Sequence, residues 1–358
     1  MPMGERVAVL GAGGFIGNRV VEVLHLAGSD VVPIVRRWSG VALPGRFALD
    51  VRVADALDRR QVRAALDGCG SAVVAIAGDA RTIVESIEPV YRAADDAGVR
   101  RIVFLSTASV HGQSPLAGTD EASELSDRQP IEYNNAKVRA ERQLLACRGR
   151  GITEVVLLRP GIVHGPRSQW ISGFADDLLS GRALLVEGGH GACNSIYVDN
   201  LVHAVRCALT ADDADGQAFL VGDDEEVTWR DLYTPICSAL GMDLDDLPQP
   251  GRDAVETVGE WTRRLRELSA VRRFLPGPVR AGLRAAVDAH RGHGVHESAG
   301  PTVTQELALL HTCAYHLPST RARSVLGYRP IVPFNEASVR SVEWLRFAGY
   351  PVVAPRSS

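Results

Sequence analysis

The chain has 358 residues, and its 39 Lys and Arg against 43 Asp and Glu give a formal net charge of −4. This length allows a sizeable core in one large domain or two linked lobes, and the acidic balance argues against a nucleic-acid-binding surface. Six scattered cysteines without a CxxC pair are typical of free thiols in a reducing compartment. Because the sequence shows no signal-peptide pattern and no apolar run near the roughly 20 residues of a spanning helix, we expect a soluble cytoplasmic protein without a membrane span.

The first half of the chain alternates predicted strands with predicted helices. Short apolar runs indicate the strands, and apolar residues three to four positions apart indicate the helices. The predicted strands cover residues 7–10, 31–35, 71–78, 101–109 and 154–163, and the predicted helices include residues 16–27, 83–99 and 136–146. Such alternation predicts an α/β fold built on a doubly wound parallel sheet.

A glycine cluster separates the first predicted strand from the first predicted helix. Its pattern is G-x-x-G-x-x-G, with Gly11, Gly14 and Gly17 enclosing Phe15 and Ile16. Glycine at these places permits a tight turn and lets the backbone approach a pyrophosphate at the helix N-terminus. The five residues are therefore predicted to bind a dinucleotide, and the alternative is a tight turn that binds nothing.

The end of the second predicted strand indicates which dinucleotide is bound. An acidic residue there would accept from the ribose 2′-hydroxyl of NAD, whereas an arginine suits the 2′-phosphate of NADP. The sequence has Arg36 and Arg37 and no acid at this place, which favours NADP, with NAD as the alternative if both arginines only face solvent. After a third strand, Asp55 is predicted either to contact the adenine or to cap the next helix.

The stretch IEYNNAKVRAE contains Lys137, the only lysine of the chain. Tyr133 lies four residues earlier, on the same face of the predicted helix. An ammonium beside a phenol is expected to lower the tyrosine pKa, so that Tyr133 could exchange a proton with a substrate oxygen. Lys137 would also bond to the ribose; the alternative is a lysine retained by chance on a solvated face.

A cluster of hydroxyl side chains follows the predicted strand of residues 101–109. Ser106, Thr107 and Ser109 come at its carboxyl end, where ligands bind in open parallel sheets. One of them is expected to hold the substrate oxygen, although local capping and loop bonding are common alternatives for such residues.

Together these segments resemble the extended short-chain dehydrogenases/reductases of the NAD-dependent epimerase/dehydratase group. The matching pieces are GAGGFIG, VADALD, AVVAIAG, GVRRIVFLSTASVHG, YNNAK, LRPGIVHGP, IYVDNLVHAV and LGYRP. They occur in family order over nearly the whole chain and leave only residues 250–305, approximately, unmatched.

The resemblance implies a Rossmann-type doubly wound parallel sheet with a smaller C-terminal α/β substrate lobe. The Rossmann domain would comprise residues 1–165 and about 195–222. The substrate lobe would comprise residues 166–194 and about 223–358, with a helical insert at about 250–305. Members of the family often form dimers through two helices per subunit, so a homodimer is expected.

The resemblance also assigns roles to single residues. Thr107 takes the place of the catalytic Ser/Thr, Tyr133 that of the acid/base, and Lys137 that of its partner. Ala77, Pro160 and Val163 would line the cofactor.

Departures from the family pattern narrow the expected activity. Ala108 and Ser109 replace the Asp-Glu of the dehydratases, which argues against dehydration. The place of an arginine that grips a sugar diphosphate has Cys193 nearby instead, which argues against a UDP-sugar. His111 and His164 replace two usual tyrosines. Thr107, Ser109, His164 and Cys193 are therefore the candidate substrate contacts, and the two histidines could instead simply pack.

The insert at about 250–305 has no counterpart in the family pattern. Apolar residues at helical spacing over residues 255–271, with arginines opposite, predict an amphipathic helix that packs on its own domain, or else on a membrane or partner. His290, His293 and His296 lie three apart, but intervening glycines and the lack of other ligands predict a mobile loop, so no metal is expected.

The preferred hypothesis is an enzyme that exchanges hydride between NADP(H) and a secondary alcohol or ketone of a small molecule. The same residues would also serve an epimerase of a sugar or sugar nucleotide that passes through a transient ketone. A non-catalytic dinucleotide-sensing protein is the third hypothesis, and retention of both Tyr133 and Lys137 argues against it.

Overall fold

The computed structural model describes residues 5–255 and 302–353. The strands are β1 (Val7–Leu10), β2 (Val31–Val35), β3 (Arg52–Val53), β4 (Ser71–Val74), β5 (Arg101–Leu105), β6 (Glu154–Pro160), β7 (Ile162–His164), β8 (Ala192–Cys193), β9 (Ser195–Tyr197), β10 (Gln217–Val221) and β11 (Val227–Thr228). The α-helices are α1 (Phe15–Leu26), α2 (Arg59–Ala65), α3 (Ala80–Glu85), α4 (Ile87–Asp96), α5 (Glu132–Arg148), α6 (Gln169–Leu179), α7 (Val198–Thr210), α8 (Trp229–Ala239), α9 (Gln305–His311), α10 (Thr320–Val325) and α11 (Phe334–Phe347).

A seven-stranded sheet forms the centre of the molecule, in the order β10-β6-β5-β4-β1-β2-β3. Every pairing within it is parallel. Val7 pairs with Val31 of β2 on one side and with Ser71 of β4 on the other. The chain therefore winds outward in both directions from β1, and the predicted doubly wound fold is confirmed.

Helices cover both faces of this sheet, because its strands are apolar on both sides. Val20 and Leu24 of α1 pack on one face together with α7, and both side chains are fully buried. Tyr91 of α4 and Ala136 of α5 pack on the other face. This double coverage leaves the carboxyl edge of the strands as the open side of the sheet.

Two predicted elements are divided in the structure. The helix expected over residues 83–99 is broken at Ser86, which ends α3 and begins α4. The strand expected over residues 154–163 stops at Pro160 and resumes as β7 at Ile162. At Gly161, between them, a Cβ would lie 1.8 Å from the carbonyl oxygen of Asn194, so only glycine allows the two chain segments to cross this closely.

A second hydrophobic cluster is formed mainly by α6, α8, α11 and strand β8. Thr228 caps α8 through a capping box with Asp231. Trp229 is fully buried, and its indole donates to the carbonyl of Leu310 at 2.9 Å. The division of the chain into two lobes stays a prediction, although this cluster is separate from the clusters on the central sheet.

Parts of the predicted insert lie outside the described residues. They are the amphipathic helix beyond Val255 and the histidines at positions 290, 293 and 296. Over residues 5–255 and 302–353, every helix is too short or too polar to traverse a lipid bilayer.

Candidate functional site

The glycine cluster forms a tight turn between β1 and α1. Gly11 has φ +84°, and a Cβ there would lie 2.5 Å from the Ala75 carbonyl oxygen. A Cβ at Gly17 would lie 2.3 Å from the Gly11 oxygen. Gly14 begins α1 without a side-chain cap, so the first amides of the helix remain available to an anion.

A cavity of about 500 Å³ lies over this turn, and we call it the glycine-loop cavity. It brings together six of the residues predicted to bind the dinucleotide: Gly11, Gly14, Arg36, Arg37, Asp55 and Ala77. The tight turn, the uncapped helix start and the size of the cavity fit the pyrophosphate and adenosine half of a dinucleotide.

The two arginines at the rim of the glycine-loop cavity follow directly after β2. Arg36 and Arg37 are exposed, and neither forms an ion pair with a carboxylate in the described part of the chain. Asp55 accepts from the amide of Leu57 at 3.1 Å. The alternative that Asp55 caps the next helix is wrong, because Asp58 is the N-cap of α2 and accepts from two amides there.

A second cavity of about 350 Å³ contains the hydroxyl groups predicted for catalysis, and we call it the Tyr133 cleft. Its lining includes the predicted site residues Phe15, Ile16, Thr107, Ser109, Tyr133, Pro160 and Val163. These come from the start of α1 and from the chain that follows β5 and β6. Parallel strands end at one edge of the sheet, which is why segments far apart in sequence meet here.

Thr107 forms the local cap that the sequence offered as an alternative, and it also lines the cleft. Its Oγ1 accepts from the amide of Ser109 at 3.2 Å and caps a short 3₁₀ turn, Ala108–His111. The same oxygen lies 3.0 Å from the Ser109 hydroxyl, and both residues line the cleft. Ser106 also lines it, and its buried hydroxyl has no hydrogen-bond partner among the described residues.

Tyr133 and Lys137 lie on one face of α5, as the spacing predicted. The Lys137 Nζ is 5.9 Å from the centre of the Tyr133 ring, and it donates to the carbonyl of Leu105 at 2.9 Å rather than to the phenol. Burial lowers the pKa of Lys137 to about 8, and the carboxylate of Glu141 opposes this shift.

The expectation that the ammonium lowers the tyrosine pKa is wrong for this arrangement. Burial raises the pKa of Tyr133 to about 12, and the negative charge of Glu306 acts in the same direction. The ammonium is held by a backbone carbonyl, and the nearest influential charge on the phenol is an acid from the opposite wall. Tyr133 is thus a protonated hydroxyl at neutral pH.

His164 does not line the cleft. Its ring is 1% exposed and packs on Tyr197 and Phe334, with ring centres 5.6 and 6.0 Å away. Its Nε2 lies 3.5 Å from the carboxylate of Asp223. The packing alternative describes this histidine, and no contact with substrate is proposed for it.

Cys193 and His111 do not line the Tyr133 cleft, although chain neighbours of both residues do. Cys193 is buried in β8 beside a polar cavity that adjoins the cleft, and burial raises the pKa of its thiol well above the usual range. His111 Nε2 lies 3.2 Å from the guanidinium of Arg159, and burial lowers the pKa of His111 to about 4. Both residues therefore belong to the structural support of the site.

The far wall of the cleft consists of residues that the sequence did not single out. Trp170, Leu310 and Leu317 give it an apolar surface, and the fully buried Trp229 packs against Trp170. Gln169 and Asn194 add amide groups to the same lining. Glu306, in the first turn of α9, is the one charged side chain among the described lining residues. No spacing pattern connects these residues, and the only local signal was the helix-capping Thr228 before Trp229.

The described residues contain no group of three or more His, Cys, Asp or Glu side chains placed to hold a metal ion. Within that part of the chain, the polar side chains that line the cleft are its hydroxyls, the amides of Gln113, Gln169 and Asn194, and the carboxylate of Glu306.

Comparison with known proteins identifies the family to which the chain belongs. A model of the NAD dependent epimerase/dehydratase family matches residues 7–222. A 3 beta-hydroxysteroid dehydrogenase/Delta 5→4-isomerase of Mycobacterium tuberculosis is 30% identical over 260 residues, which are 66% of this chain and 70% of the relative. A UDP-glucose 4-epimerase of Vibrio cholerae is 30% identical over 159 residues, 43% of this chain and 48% of the relative.

Solved structures of similar fold extend over almost the whole chain. A UDP-glucose 4-epimerase of Thermotoga maritima with UDP-glucose superposes with a TM-score of 0.68 at 19% identity, covering 96% of this chain and 99% of its own. MoeE5 in complex with UDP-glucose and NAD gives a TM-score of 0.67 at 20% identity, with coverages of 96% and 99%. At these identities the similarity establishes the fold.

Proposed function

The chain is an enzyme of the NAD-dependent epimerase/dehydratase family, and from this premise we propose that it reduces a ketone of an apolar small molecule with NADPH. The observation that carries this proposal is the Tyr133 cleft. It combines the hydroxyls of Thr107 and Tyr133 with apolar walls, and its near side is formed by Phe15 and Ile16 of the glycine turn. A substrate carbonyl in this cleft would thus lie beside the dinucleotide site.

The dinucleotide would be held by the amides of the glycine turn, by Arg36 and Arg37 and by Asp55. When it is bound, its nicotinamide supplies the hydride for the reduction. Phe15 and Ile16 are the residues shared between the turn and the cleft. With Pro160 and Val163 they would form the apolar surroundings that exclude water from the reacting atoms.

The side chains of the cleft provide the hydrogen bond and the proton. Thr107 would donate to the substrate oxygen, and Tyr133 would transfer its proton to that oxygen as the alcohol forms. A phenol with a pKa of about 12 stays protonated at neutral pH, which supports its use as an acid in the direction of reduction. Lys137, still largely charged at pH 7, would hold the ribose of the bound dinucleotide.

The residues at the end of β2 support NADP over NAD. Arg36 and Arg37 line the glycine-loop cavity where an NAD site usually has an acid. A carboxylate there would repel a 2′-phosphate, whereas a free guanidinium can bind it with two hydrogen bonds.

The lining of the cleft supports an apolar substrate over a sugar diphosphate. Its described lining residues include no Lys or Arg, and a diphosphate needs cationic partners when it leaves water. Four large apolar side chains instead form the far wall. A ring compound such as the 3β-hydroxysteroids, for which the mycobacterial relative is named, is the substrate type that we propose. The expected homodimer and the cytoplasmic location stay predictions.

Substitution of Tyr133 tests the proposal. Tyr133→Phe removes the proton donor and is expected to slow NADPH-dependent reduction of a 3-ketosteroid by about 100-fold or more, with NADPH binding retained. The measurement is the loss of NADPH absorbance, with thermal shift as the test of binding. Tyr350→Phe is the matched control, because its hydroxyl bonds to Asp176 outside the cleft.

Three results would contradict this proposal. Unchanged ketone reduction in Tyr133→Phe would refute the role of the phenol. Inversion of a sugar carbon, with dinucleotide retained through purification and no net consumption of NADPH, would establish the epimerase instead. A biological activity that survives Tyr133→Phe undiminished while the cofactor still binds would favour the sensing protein.

A further inference from the structure

The far wall of the Tyr133 cleft contains one feature that the proposed reduction does not use. Glu306 lines the cleft, and its Oε1 accepts from the Gln113 amide nitrogen at 2.6 Å. The Gln113 oxygen in turn accepts a longer bond of 3.4 Å from Asn134, the neighbour of Tyr133 in the chain. Gln113 thus orients the carboxylate of Glu306, and Gln113 is itself hydrogen-bonded to α5, the helix that contains Tyr133.

Only one oxygen of this carboxylate has a hydrogen-bond partner among the described residues. Glu306 is partly buried, and the cleft lining is mainly apolar, although it also includes the amide side chains of Gln169 and Asn194. A carboxylate in such surroundings keeps a strong demand for hydrogen-bond donors. It also repels a second negative charge brought close to it, because the cleft has no described cation to compensate.

We propose that Glu306 determines the substrate specificity of the cleft. Its free oxygen accepts a hydrogen bond from an uncharged donor, such as a hydroxyl, that the substrate carries away from the reacting carbonyl. An anionic group at the same place is excluded. This assignment rests on the proposed reductase function and adds to it a substrate with two oxygen functions, one ketone and one distal hydroxyl.

A set of three ring ketones tests this assignment. 4-Methylcyclohexanone, 4-(hydroxymethyl)cyclohexanone and 4-oxocyclohexanecarboxylate share a ketone and differ only in the distal group, which is apolar, a neutral donor or an anion. Affinity for the NADP-loaded full-length protein and NADPH-dependent turnover are both measured, for the wild type, for Glu306→Gln and for Gln113→Leu. Glu343→Gln is the matched control, because Glu343 pairs with Arg346 at the surface of α11.

The expected results separate charge from orientation. The wild type should prefer the hydroxymethyl ketone and bind the carboxylate most weakly. In Glu306→Gln the carboxylate should gain about tenfold in affinity and the hydroxymethyl ketone lose about tenfold, while the methyl ketone stays unchanged. Gln113→Leu should lose the preference for the hydroxymethyl ketone but still bind the carboxylate ketone weakly. The negative charge of Glu306 remains in this variant, whereas the hydrogen bond that orients its carboxylate is lost.

Other results would overturn the assignment. An unchanged order of affinities in Glu306→Gln, an equal shift for all three ketones, or no binding of any of them to the wild type would each refute it. If the ketones bind in the expected order but are not reduced, the assignment stands and the proposed reductase fails. If they are reduced without any effect of Glu306→Gln, the reductase stands and the assignment fails.

Discussion

The two walls of the Tyr133 cleft differ in how their residues are distributed along the chain. The near wall takes Thr107 and Tyr133 from a single strand–helix unit, the loop after β5 and the first turn of α5. The far wall takes Trp170, Trp229 and Glu306 from three different helices, and these residues lie more than fifty positions apart along the chain. The first wall is therefore placed by the topology of the sheet, and the second by how the helices of the other cluster pack.

This difference separates the chemistry from the choice of substrate. Any polar side chain at the carboxyl end of these strands comes close to the glycine turn, because parallel strands end at one edge. Side chains on the far wall face the same cleft without any such constraint, so they can change while the reaction stays the same. The family relationship thus supports the reaction type, whereas the choice of substrate depends on far-wall residues that only the structure identifies.

The largest effect is expected beneath the near wall, at a buried ion pair. Arg159 donates twice to Glu141, at 3.1 and 2.7 Å, and both side chains are less than a tenth exposed. Glu141→Gln leaves the guanidinium charge buried without compensation, which is expected to destabilise the protein by about 3 kcal/mol or more. The measurement is the urea midpoint of unfolding.

The same helix provides the control for this prediction. Glu132 also pairs with an arginine, Arg139, but the two side chains are 62% and 38% exposed. Glu132→Gln is expected to change stability by less than about 1 kcal/mol. Equal losses in Glu132→Gln and Glu141→Gln would show that the near wall does not depend on its buried support.

The far wall depends on a histidine that is kept neutral. His311 is 1% exposed, its Nδ1 accepts from the Val186 amide at 3.2 Å, and its ring packs on Trp229. Burial lowers the pKa of His311 to about 4, whereas an unfolded chain takes up this proton near 6.5. The contribution of neutral His311 to the free energy of unfolding is therefore complete above pH 6.5. It is lost as the pH falls towards 4, and the total loss is about 3 kcal/mol.

Removal of the titrating ring tests this acid sensitivity. His311→Asn keeps an acceptor for the Val186 amide and should flatten the fall in urea midpoint between pH 6.5 and 4. The control His190→Asn, at an exposed position, should keep the slope of the wild type. A slope unchanged by His311→Asn would mean that the far wall tolerates the charge, which would contradict its apolar packing around Trp229.

The sequence predicted the sheet and the near wall because their signals are local. The glycine turn, the Tyr133–Lys137 spacing and the hydroxyls after β5 each lie within a few residues of one strand end, so the topology alone brings them together. The tyrosine pKa was predicted in the wrong direction, since it depends on burial and on the charge of Glu306 from α9. Lys137 donates to the Leu105 carbonyl instead of to the phenol.

The far wall could not be predicted for a related reason. Trp229 and Glu306 follow no periodic pattern that distinguishes them from other helical residues, and their approach depends on tertiary packing between separate helices. His164 and Cys193 show the opposite error, because a match in family position suggested substrate contacts for side chains that pack inside the protein. Motif position identifies a place along the chain, whereas exposure to the cleft depends on the surrounding packing.

The smallest effect is expected at the glycine-loop cavity, where the side chains proposed to bind the 2′-phosphate of NADPH are exposed. The double substitution Arg36→Ala and Arg37→Ala should weaken NADPH binding by about tenfold, because two cationic partners of the 2′-phosphate are removed. NADH binding should change little, since NADH lacks that phosphate.

The control Arg60→Ala with Arg63→Ala removes the same charge from exposed positions on α2 and should leave both affinities near the wild type. Equal losses for NADPH and NADH, or tighter binding of NADH by the wild type, would contradict the preference for NADP and with it the inference from the local sequence at the end of β2.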